Sequence, residues 1–240
     1  MPAGQASGCI TDAQVAALNR LYNEAKGSDG LVYAYPYSRG SEPGWPTFQN
    51  TVADPQRAAT DRDLGLRAIM FGDPDFKFAD FVLERDGPKA RAGAFAKYYE
   101  ADDPNLKPFL AKGRLILWHG LDDQGPSPWG TVAYNARMRA ATGDAAAANR
   151  PPVPGARRAA LRRRPGPSQI DWLAPMDSWI KTGTAPASIT ASTPPAPPAR
   201  PGAPAPQPVK MVTRPLCPYP AQARWDGKGD TSVEASFACR

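Results

Sequence analysis

This sequence of 240 residues has no long apolar segment and few of the side chains that build metal sites. No stretch approaches the ~18 uninterrupted apolar residues of a transmembrane helix, which excludes a helical membrane protein. Three scattered cysteines and a single histidine cannot assemble a metal cluster. The sequence also lacks a G-x-S-x-G nucleophile turn and a glycine-rich loop that could hold phosphate. We therefore expect neither a metal cluster nor a phosphate-binding loop.

Proline is the abundant residue. The chain contains 29 prolines in 240 residues, well above the usual ~5%, so we expect a substantial part of it to be loop or disordered. Residues 194–208, with the sequence PPAPPARPGAPAPQP, favour extended polyproline geometry and cannot form a helix or a central strand. We interpret them as a spacer in preference to a docking motif of the PxxP type.

The net charge of +6 comes from one segment. Residues 150–164 contain six arginines and no Asp, Glu or Lys, while the remaining 23 basic residues are matched by 23 acidic ones. Such a segment can bind phosphate backbones or anionic surfaces. It lacks the interleaved aromatic side chains that would stack on bases, so we favour other interpretations over nucleic-acid binding.

Helical spacing is clear in three places. The segment TDAQ at residues 11–14 is a capping box, and the apolar residues after it predict a helix over about residues 11–25. Residues 129–141 also predict a helix. From Ile170 onward the apolar side chains again have helical spacing, and Gly183 is placed to end that helix.

A predicted strand followed by polar residues carries the candidate chemistry. Residues 114–118, an arginine followed by four apolar side chains and flanked by glycines in sequence, are typical of a buried parallel strand. His119, Asp122 and Asp123 come directly after it, where α/β proteins place functional side chains. A carboxylate here can be the acid of a Ser–His–acid triad. A pair of aspartates after a strand is also typical of a solvated turn.

His119 is the only histidine, and we interpret it as a hydrogen-bonded structural residue rather than as the general base. It lies four residues before Asp123, whereas the base of an α/β hydrolase follows the acid well downstream. A second parallel strand is expected around residues 150–156. Three prolines in that range lack the N–H donors of a sheet ladder, so we predict no strand there.

Several segments taken together resemble the tannase and feruloyl esterase family. LILWHGLDDQGPSPWGTVAYNARM at residues 115–138 is similar to the family's LILYHGWAD segment and its PP.GT..YY continuation. The likeness spans nearly the whole chain, and its C-terminal segment is the most specific. The other similar segments are CITDAQVAALNRLYNEAK (9–26), YPYSRGSEPGW (35–45), FGDPDF (71–76), DDPNLKPFLAKGRLILWHG (102–120) and TRPLCPYPAQARWDGKGDTSVEASFAC (213–239).

The resemblance implies an α/β fold: the C-terminal part of an α/β-hydrolase fold plus the rear of its lid domain, with a proline-rich disordered insert. Residues 1–103 would belong to the lid and residues 104–193 to the hydrolase core, with an aberrant Arg-rich segment at 150–165. A Pro/Ala-rich linker at 194–210 would lead to a disulfide-closed C-terminal segment at 211–240.

The resemblance also implies a chemistry. Members of this family are serine esterases that cleave esters of aromatic acids such as gallate, ferulate or the terephthalate monoester, which implies an aromatic ester substrate and an acyl-enzyme mechanism. By its position in the HG..D motif, Asp123 resembles the acid of the triad. Cys217 and Cys239 resemble the C-terminal disulfide pair, and Cys9 resembles a lid cysteine whose partner would lie upstream.

Cofactor, partner and location are also taken from the resemblance. It implies no cofactor in this chain, because the family's calcium loop precedes the helix that begins the likeness. It implies a periplasmic or secreted protein, although MPAGQASGCITDAQ at the start lacks a signal-peptide pattern. We expect no membrane partner, and the missing N-terminal half of the hydrolase is a candidate partner.

A non-catalytic remnant that binds aromatic ligands through the loop from Tyr33 to Trp45 is the alternative to an enzyme.

The sequence departs from the family at the two other triad positions. The G-C-S-x-G-G motif of the serine nucleophile is absent. Residues 150–167 read RPPVPGARRAALRRRPGP where the family has VPG-M-x-H-C-x-G-G-P-G-P, so the base is also missing. The resemblance therefore predicts that this chain is inactive alone.

A shifted reading frame would account for the Arg-rich segment. One allowed codon choice for residues 150–165 reads RLFLVPGVQHCAGGP in the frame that starts at the second base of Pro151. That reading restores the family's strand, histidine and cysteine, with the histidine codon spanning Ala160 and Leu161. The hypothesis is that two compensating insertions or deletions, or two sequencing errors, bracket this segment. The nucleotide sequence tests it, because codons that give no His-Cys in the shifted frame would exclude it.

Overall fold

The structure, a computed structural model, describes residues 10–45, 67–77, 80–123, 125–143, 154–156, 167–196 and 209–240. It divides into two compact units. The first comprises residues 1–102 and 124–129, and the second comprises residues 103–123 and 130–240. Within the described residues, no helix is both long enough and apolar enough to cross a membrane.

The first unit opens with a capped helix and a small hairpin. Helix α1 (Asp12–Leu21) begins at the predicted capping box, in which Thr11 and Gln14 each accept a hydrogen bond from the other's backbone N–H. The predicted start is therefore confirmed, whereas the helix ends four residues before the predicted position. Strands β1 (Ala25–Lys26) and β2 (Val32–Ala34) then pair antiparallel.

Two further helices of the first unit, α2 (Leu83–Ala92) and α3 (Ala94–Tyr99), have no counterpart among the sequence predictions. Gly87 and Pro88 lie inside α2, and both residue types disfavour a helix interior. A Cβ atom at residue 87 would lie 2.8 Å from the ring of Tyr33, so a larger residue there would require this ring to move.

A buried carboxylate stabilises the start of α2. Asp86 accepts a hydrogen bond from the Val82 N–H at 2.9 Å and pairs with Arg85 at 2.7 Å. The hydrogen bonds from Arg85 and from the Val82 amide hold the pKa of Asp86 well below its ordinary value. A charged acceptor close to the first free N–H groups of a helix is stabilising.

A five-stranded sheet organises the second unit. Its strands are β3 (His119–Gly120), β4 (Pro154–Ala156), β5 (Gln169–Ile170), β6 (Ile189–Ser192) and β7 (Thr213–Pro218). Their order across the sheet is β3-β4-β7-β6-β5, so β3 and β5 are the edges. The β3–β4 pair is parallel and the other three pairs are antiparallel.

Three helices accompany this sheet: α4 (Lys107–Leu110), α5 (Pro128–Thr142) and α6 (Leu173–Thr182). The helix predicted for residues 129–141 is confirmed. The last predicted helix begins at Leu173 rather than near Ile170, which pairs in β5 instead. Gly183 ends α6 with a φ of 72°, the left-handed conformation that glycine adopts without strain.

The core of the second unit lies on β6 and β7. Ile189, Ala191 and Leu216 are buried together, and Ile116, Ile170 and Trp172 pack against them. Burial alternates along β6, because successive side chains of a strand point to opposite faces. A short antiparallel pair, β8 (Ala223–Trp225) and β9 (Phe237–Cys239), completes the unit.

The strand predicted for residues 114–118 is wrong in position. Pairing begins only at His119, and the described residues before it have no strand partner. The reason is that β3 is an edge strand whose neighbour, β4, is itself three residues long. Apolar composition indicates that a segment can form a strand, but pairing also needs a neighbour of matching length.

The prediction of no strand at residues 150–156 is also wrong. Residues Pro154–Ala156 form β4, which pairs with strands on both sides. Pro154 lies opposite Pro218 in β7, so the two missing N–H donors fall on one residue pair. The rest of the Arg-rich segment at 150–165, residues 197–208 of the linker and Cys9 lie outside the described residues.

Candidate active site

The edge strand β3 ends in a turn that carries two aspartates. The Asp123 N–H donates to the carbonyl oxygen of Gly120 at 3.0 Å, and the side chains of Asp122 and Asp123 are buried. This burial differs from the solvated turn that a pair of aspartates often forms. Because β3 and β4 run parallel, the turn lies at the carboxyl end of a parallel pair, where α/β proteins place functional groups.

The single histidine of the chain connects this turn with helix α5. His119 Nδ1 lies 2.6 Å from Thr131 Oγ1, within hydrogen-bond distance, and His119 Nε2 lies 3.6 Å from Asp123 Oδ2. The second contact is too long for a hydrogen bond, and it is an ion pair only when the imidazole is protonated. The hydrogen bond predicted for His119 is present, with Thr131 as its partner.

Sequence reasoning missed Thr131. The Thr131 hydroxyl fixes one nitrogen of the imidazole, so the other nitrogen faces the Asp123 carboxylate. The sequence held one signal for Thr131. This residue belongs to the Gly-Thr pair of the family-like segment at 115–138, and the pair lies in the first turn of α5. Spacing alone does not indicate that a hydroxyl twelve residues further along contacts the ring.

Strand β4 brings a second chain segment to the same edge of the sheet. In the parallel register His119 lies opposite Gly155 and Gly120 lies opposite Ala156. Both strands therefore end side by side, next to the turn of Asp123. This is the segment in which the family resemblance expects the strand that precedes the base.

An aromatic cluster lies in the first unit. The ring of Trp45 is 5.7 Å from that of Tyr22 and 5.6 Å from that of Tyr37, at tilted angles. Its indole N–H donates to the hydroxyl of buried Ser41 at 2.9 Å. Tyr33, which begins the predicted aromatic loop, lies apart from this cluster and donates to Asp29 at 2.6 Å.

Charged side chains adjoin this cluster. The Arg39 guanidinium lies 4.3 Å from the Tyr22 ring centre, and the Tyr22 hydroxyl donates to Glu42. Burial and the Glu42 carboxylate raise the pKa of Tyr22. For Glu42, burial opposes ionisation, but hydrogen bonds from Tyr22 and from the Gly40 N–H hold its pKa below the ordinary value. The cluster thus presents aromatic faces beside a cation.

The described residues contain no group of three or more His, Cys, Asp or Glu side chains arranged to hold a metal ion. A disulfide bond joins Cys217 and Cys239, the pair that the family resemblance implies, and links β7 to β9. Its S–S distance is 2.04 Å and its Cα–Cα distance is 5.4 Å. Cys217 is buried in the sheet, opposite Gly155 of β4.

Comparison with known proteins gives a consistent set of relatives. A family model described as "Tannase and feruloyl esterase" matches residues 2–240. The mono(2-hydroxyethyl) terephthalate hydrolase of Piscinibacter sakaiensis is 36% identical over 263 residues, covering 96% of this chain and 42% of the relative. A "Probable feruloyl esterase" of Arthroderma benhamiae is 27% identical over 182 residues, covering 72% of this chain and 32% of the relative.

Solved structures show the same fold. An esterase from Aspergillus oryzae matches with a TM-score of 0.76 at 19% identity, covering 100% of this chain and 48% of that one. Feruloyl esterase B from the same organism matches with a TM-score of 0.75 at 18% identity, covering 97% and 46%. The chain thus has the α/β fold of these esterases and spans less than half of their length.

Proposed function

Because the chain belongs to the tannase and feruloyl esterase family, we propose that it supplies part of the catalytic unit of a carboxylic ester hydrolase. The substrates are esters of aromatic acids, and the reaction proceeds through a serine acyl-enzyme. The observation that carries this proposal is the family match over residues 2–240, together with an aspartate buried at the carboxyl end of β3.

Asp123 is the acid of the triad in this proposal. Its support is threefold: it occupies the last position of the HG..D motif, it follows a parallel strand, and its carboxylate is buried beside an imidazole. A buried carboxylate holds a catalytic histidine in one tautomer and stabilises the cation that forms during the reaction. We do not assign His119 as that base, because it precedes Asp123 by four residues, whereas the base of an α/β hydrolase follows the acid well downstream.

The reaction would transfer an acyl group in two steps. A serine hydroxyl attacks the ester carbonyl while a histidine takes its proton and then passes it to the departing alkoxide oxygen. Water then attacks the acyl-enzyme in the same way and releases the aromatic acid and the free serine. This sequence contains no motif for either the serine or the histidine, so both groups would have to be supplied from elsewhere.

The 240-residue chain alone is expected to hydrolyse neither methyl gallate nor methyl ferulate, since removing members of the triad costs several orders of magnitude in rate. The measurement is release of free acid by chromatography from the purified chain, with Asp123→Ala as its control. Turnover by the chain that survives Asp123→Ala would refute the assignment of Asp123.

A non-catalytic aromatic-ligand module is the second candidate, and the Tyr22–Tyr37–Trp45 cluster with Arg39 favours it. Aromatic faces beside a guanidinium suit an aromatic carboxylate. Saturable quenching of tryptophan fluorescence by gallate or ferulate, lost in Trp45→Ala, would support this candidate. Absence of saturation would leave the esterase proposal as the better account.

We propose that the protein works in an oxidising compartment. It has a disulfide between Cys217 and Cys239, and disulfides form and persist in secreted or periplasmic proteins but are rare in the cytosol. Its proposed partners are an aromatic ester and the portion of a family-length esterase that this chain does not match. A calcium site, if one is used, would belong to that other portion.

A further inference from the structure

The hydroxyl of Thr131 and the carboxylate of Asp123 lie against the two nitrogens of one imidazole. His119 Nδ1 is 2.6 Å from Thr131 Oγ1, and His119 Nε2 is 3.6 Å from Asp123 Oδ2. The side chains of His119 and Asp123 are both mostly buried, so water screens the second contact little. The ring therefore lies between a neutral hydroxyl and an anion.

These two neighbours decide which nitrogen of the ring carries the proton. A neutral imidazole has an N–H at one nitrogen and a lone pair at the other. A proton on Nδ1 would direct the Nε2 lone pair at the Asp123 carboxylate, and two electron-rich groups repel each other. A proton on Nε2 directs an N–H at the carboxylate, and the Thr131 hydroxyl then donates to Nδ1. We therefore expect Nε2 to carry a proton in the neutral ring and in the imidazolium alike.

Two elements of the fold hold this contact at the carboxyl end of β3. His119 lies in the parallel register opposite Gly155, and the Asp123 N–H donates to the carbonyl oxygen of Gly120. Thr131 belongs to α5, so the ring is anchored by a helix as well as by the strand that carries it. An imidazole fixed on both sides can fix the carboxylate that it faces.

We propose that His119 is a positioning residue for the acid of the triad and that Thr131 anchors its ring. The Nε2–H group faces Oδ2 of Asp123 and limits rotation of the carboxylate, which leaves Oδ1 for the catalytic histidine. The orientation of that histidine depends on a carboxylate oxygen held in one place. His119 itself takes no part in proton transfer. The inference rests on the proposed function, in which Asp123 is the acid.

The first experiment examines the ring in the full 240-residue chain labelled with ¹⁵N. The chain has one histidine, so its ring nitrogens give a single pair of resonances. With the ring neutral, we expect the proton on Nε2 and the unprotonated signal from Nδ1. Thr131→Val removes the hydroxyl and should shift the Nδ1 resonance, whereas Thr131→Ser keeps the hydroxyl and should not. A proton on Nδ1, or an Nδ1 resonance that is unchanged in Thr131→Val, would overturn the inference.

Thr142→Val is the matched control for the loss of the hydroxyl. Thr142 is also on α5, is buried, and donates to the carbonyl oxygen of Met138 at 2.7 Å. It lies about 16 Å along the helix from Thr131, so its substitution should leave the ring resonances of His119 unchanged. The same shift in Thr131→Val and Thr142→Val would indicate a general loss of packing and would count against the anchor.

The second experiment examines the carboxylate in an active esterase. Residues 115–138 of this chain replace the matching segment of the Piscinibacter sakaiensis hydrolase, which is 36% identical to this chain. His119→Gln retains an N–H close to the position of Nε2, whereas His119→Asn retains one only near Nδ1. With mono(2-hydroxyethyl) terephthalate as substrate, we expect His119→Asn to lower kcat at least about tenfold with KM nearly unchanged. We expect His119→Gln to recover most of that loss.

A third readout needs no turnover. In the full chain labelled with ¹³C at its aspartates, the carboxyl resonance of Asp123 is identified by its loss in Asp123→Asn. We expect this resonance to move in His119→Asn and to stay close to its original position in His119→Gln. An Asp123 resonance that is insensitive to both substitutions would overturn the inference, whether or not the graft is active.

The comparison of the two amides separates positioning from a structural role. Loss of packing alone would lower the folded fraction by circular dichroism and would affect both variants alike. Equal losses of kcat, or a change confined to KM, would overturn the inference. Full activity of His119→Asn in a graft that Asp123→Asn inactivates would also overturn it. A graft that stays active in Asp123→Asn contradicts the proposed function instead, so the two failures are distinct.

Discussion

Asparagine in place of Asp123 is expected to lower kcat by about 10⁴-fold when the surrounding segment operates in an active esterase. The experiment replaces the matching segment of the 36%-identical Piscinibacter sakaiensis hydrolase with residues 115–138 of this chain. The unsubstituted graft is expected to hydrolyse mono(2-hydroxyethyl) terephthalate. Asp123→Asn is then introduced into the graft, and initial rates are measured at saturating substrate.

The size of this effect follows from the role of a buried triad carboxylate. An asparagine has nearly the same shape, but its amide hydrogen bond stabilises the wrong tautomer of the histidine and its neutral group does not stabilise the imidazolium. The loss should therefore be mainly in kcat, because the substrate is bound by other groups. A change confined to KM would indicate that Asp123 acts in binding.

Asp122→Asn is the matched control for this experiment. Asp122 is adjacent in sequence, and both aspartates are 9% exposed, so the two substitutions remove equally buried charges. We expect Asp122→Asn to retain kcat within about tenfold. Equal losses from the two substitutions, or an active Asp123→Asn graft, would contradict the assignment.

Replacing both Cys217 and Cys239 with serine is expected to lower the free energy of unfolding by about 3 kcal/mol. The bridge closes a loop with a sequence separation of 22 residues and joins β7 to β9. Opening it releases the loop in the unfolded chain, where the gain in conformational entropy is largest. Urea unfolding followed by circular dichroism gives the free energy for each variant.

Cys9→Ser is the thiol control for the disulfide. It removes a cysteine but leaves the bridge between Cys217 and Cys239 in place, so its unfolding curve should match that of the unsubstituted chain. The unsubstituted chain in reducing buffer should approach the double variant. An unchanged transition in the double variant would show that the C-terminal pair β8–β9 is held by its strand contacts alone.

Local signals in the sequence located the helices well. The capping box before α1, the apolar spacing of α5 and the glycine that ends α6 are all decided by residues within a few positions of one another. α2 was missed because Gly87 and Pro88 inside it disfavour a helix, and because the fit of Gly87 against the Tyr33 ring depends on a distant segment.

Strands were predicted less well, because pairing depends on distant segments. The mostly apolar run at 114–118 has the composition of a strand, yet within the described residues the pairing with β4 covers only His119 and Gly120. Pro154 lies in a strand against its usual preference, opposite Pro218. Neither the length of a neighbour nor the register of two prolines can be deduced from one segment.

Sequence reasoning recovered the position of the candidate site but not its contacts. The apolar run before His119 predicted that Asp123 follows a parallel strand, and the structure shows that its side chain is buried there. The contact of Thr131 with His119 was not predicted, because it depends on how α5 returns to the strand end. The aromatic cluster was predicted in part, since Tyr37 and Trp45 belong to it but Tyr33 does not.

The position of His119 makes it a natural spectroscopic reporter for the carboxyl end of β3. The chain has one histidine, so magnetic-resonance spectra of its imidazole contain a single set of ring signals and need no assignment by mutagenesis. That ring touches Thr131 on one side and faces Asp123 on the other. Any event that rearranges this strand end, including arrival of another polypeptide, will therefore be visible at one resonance.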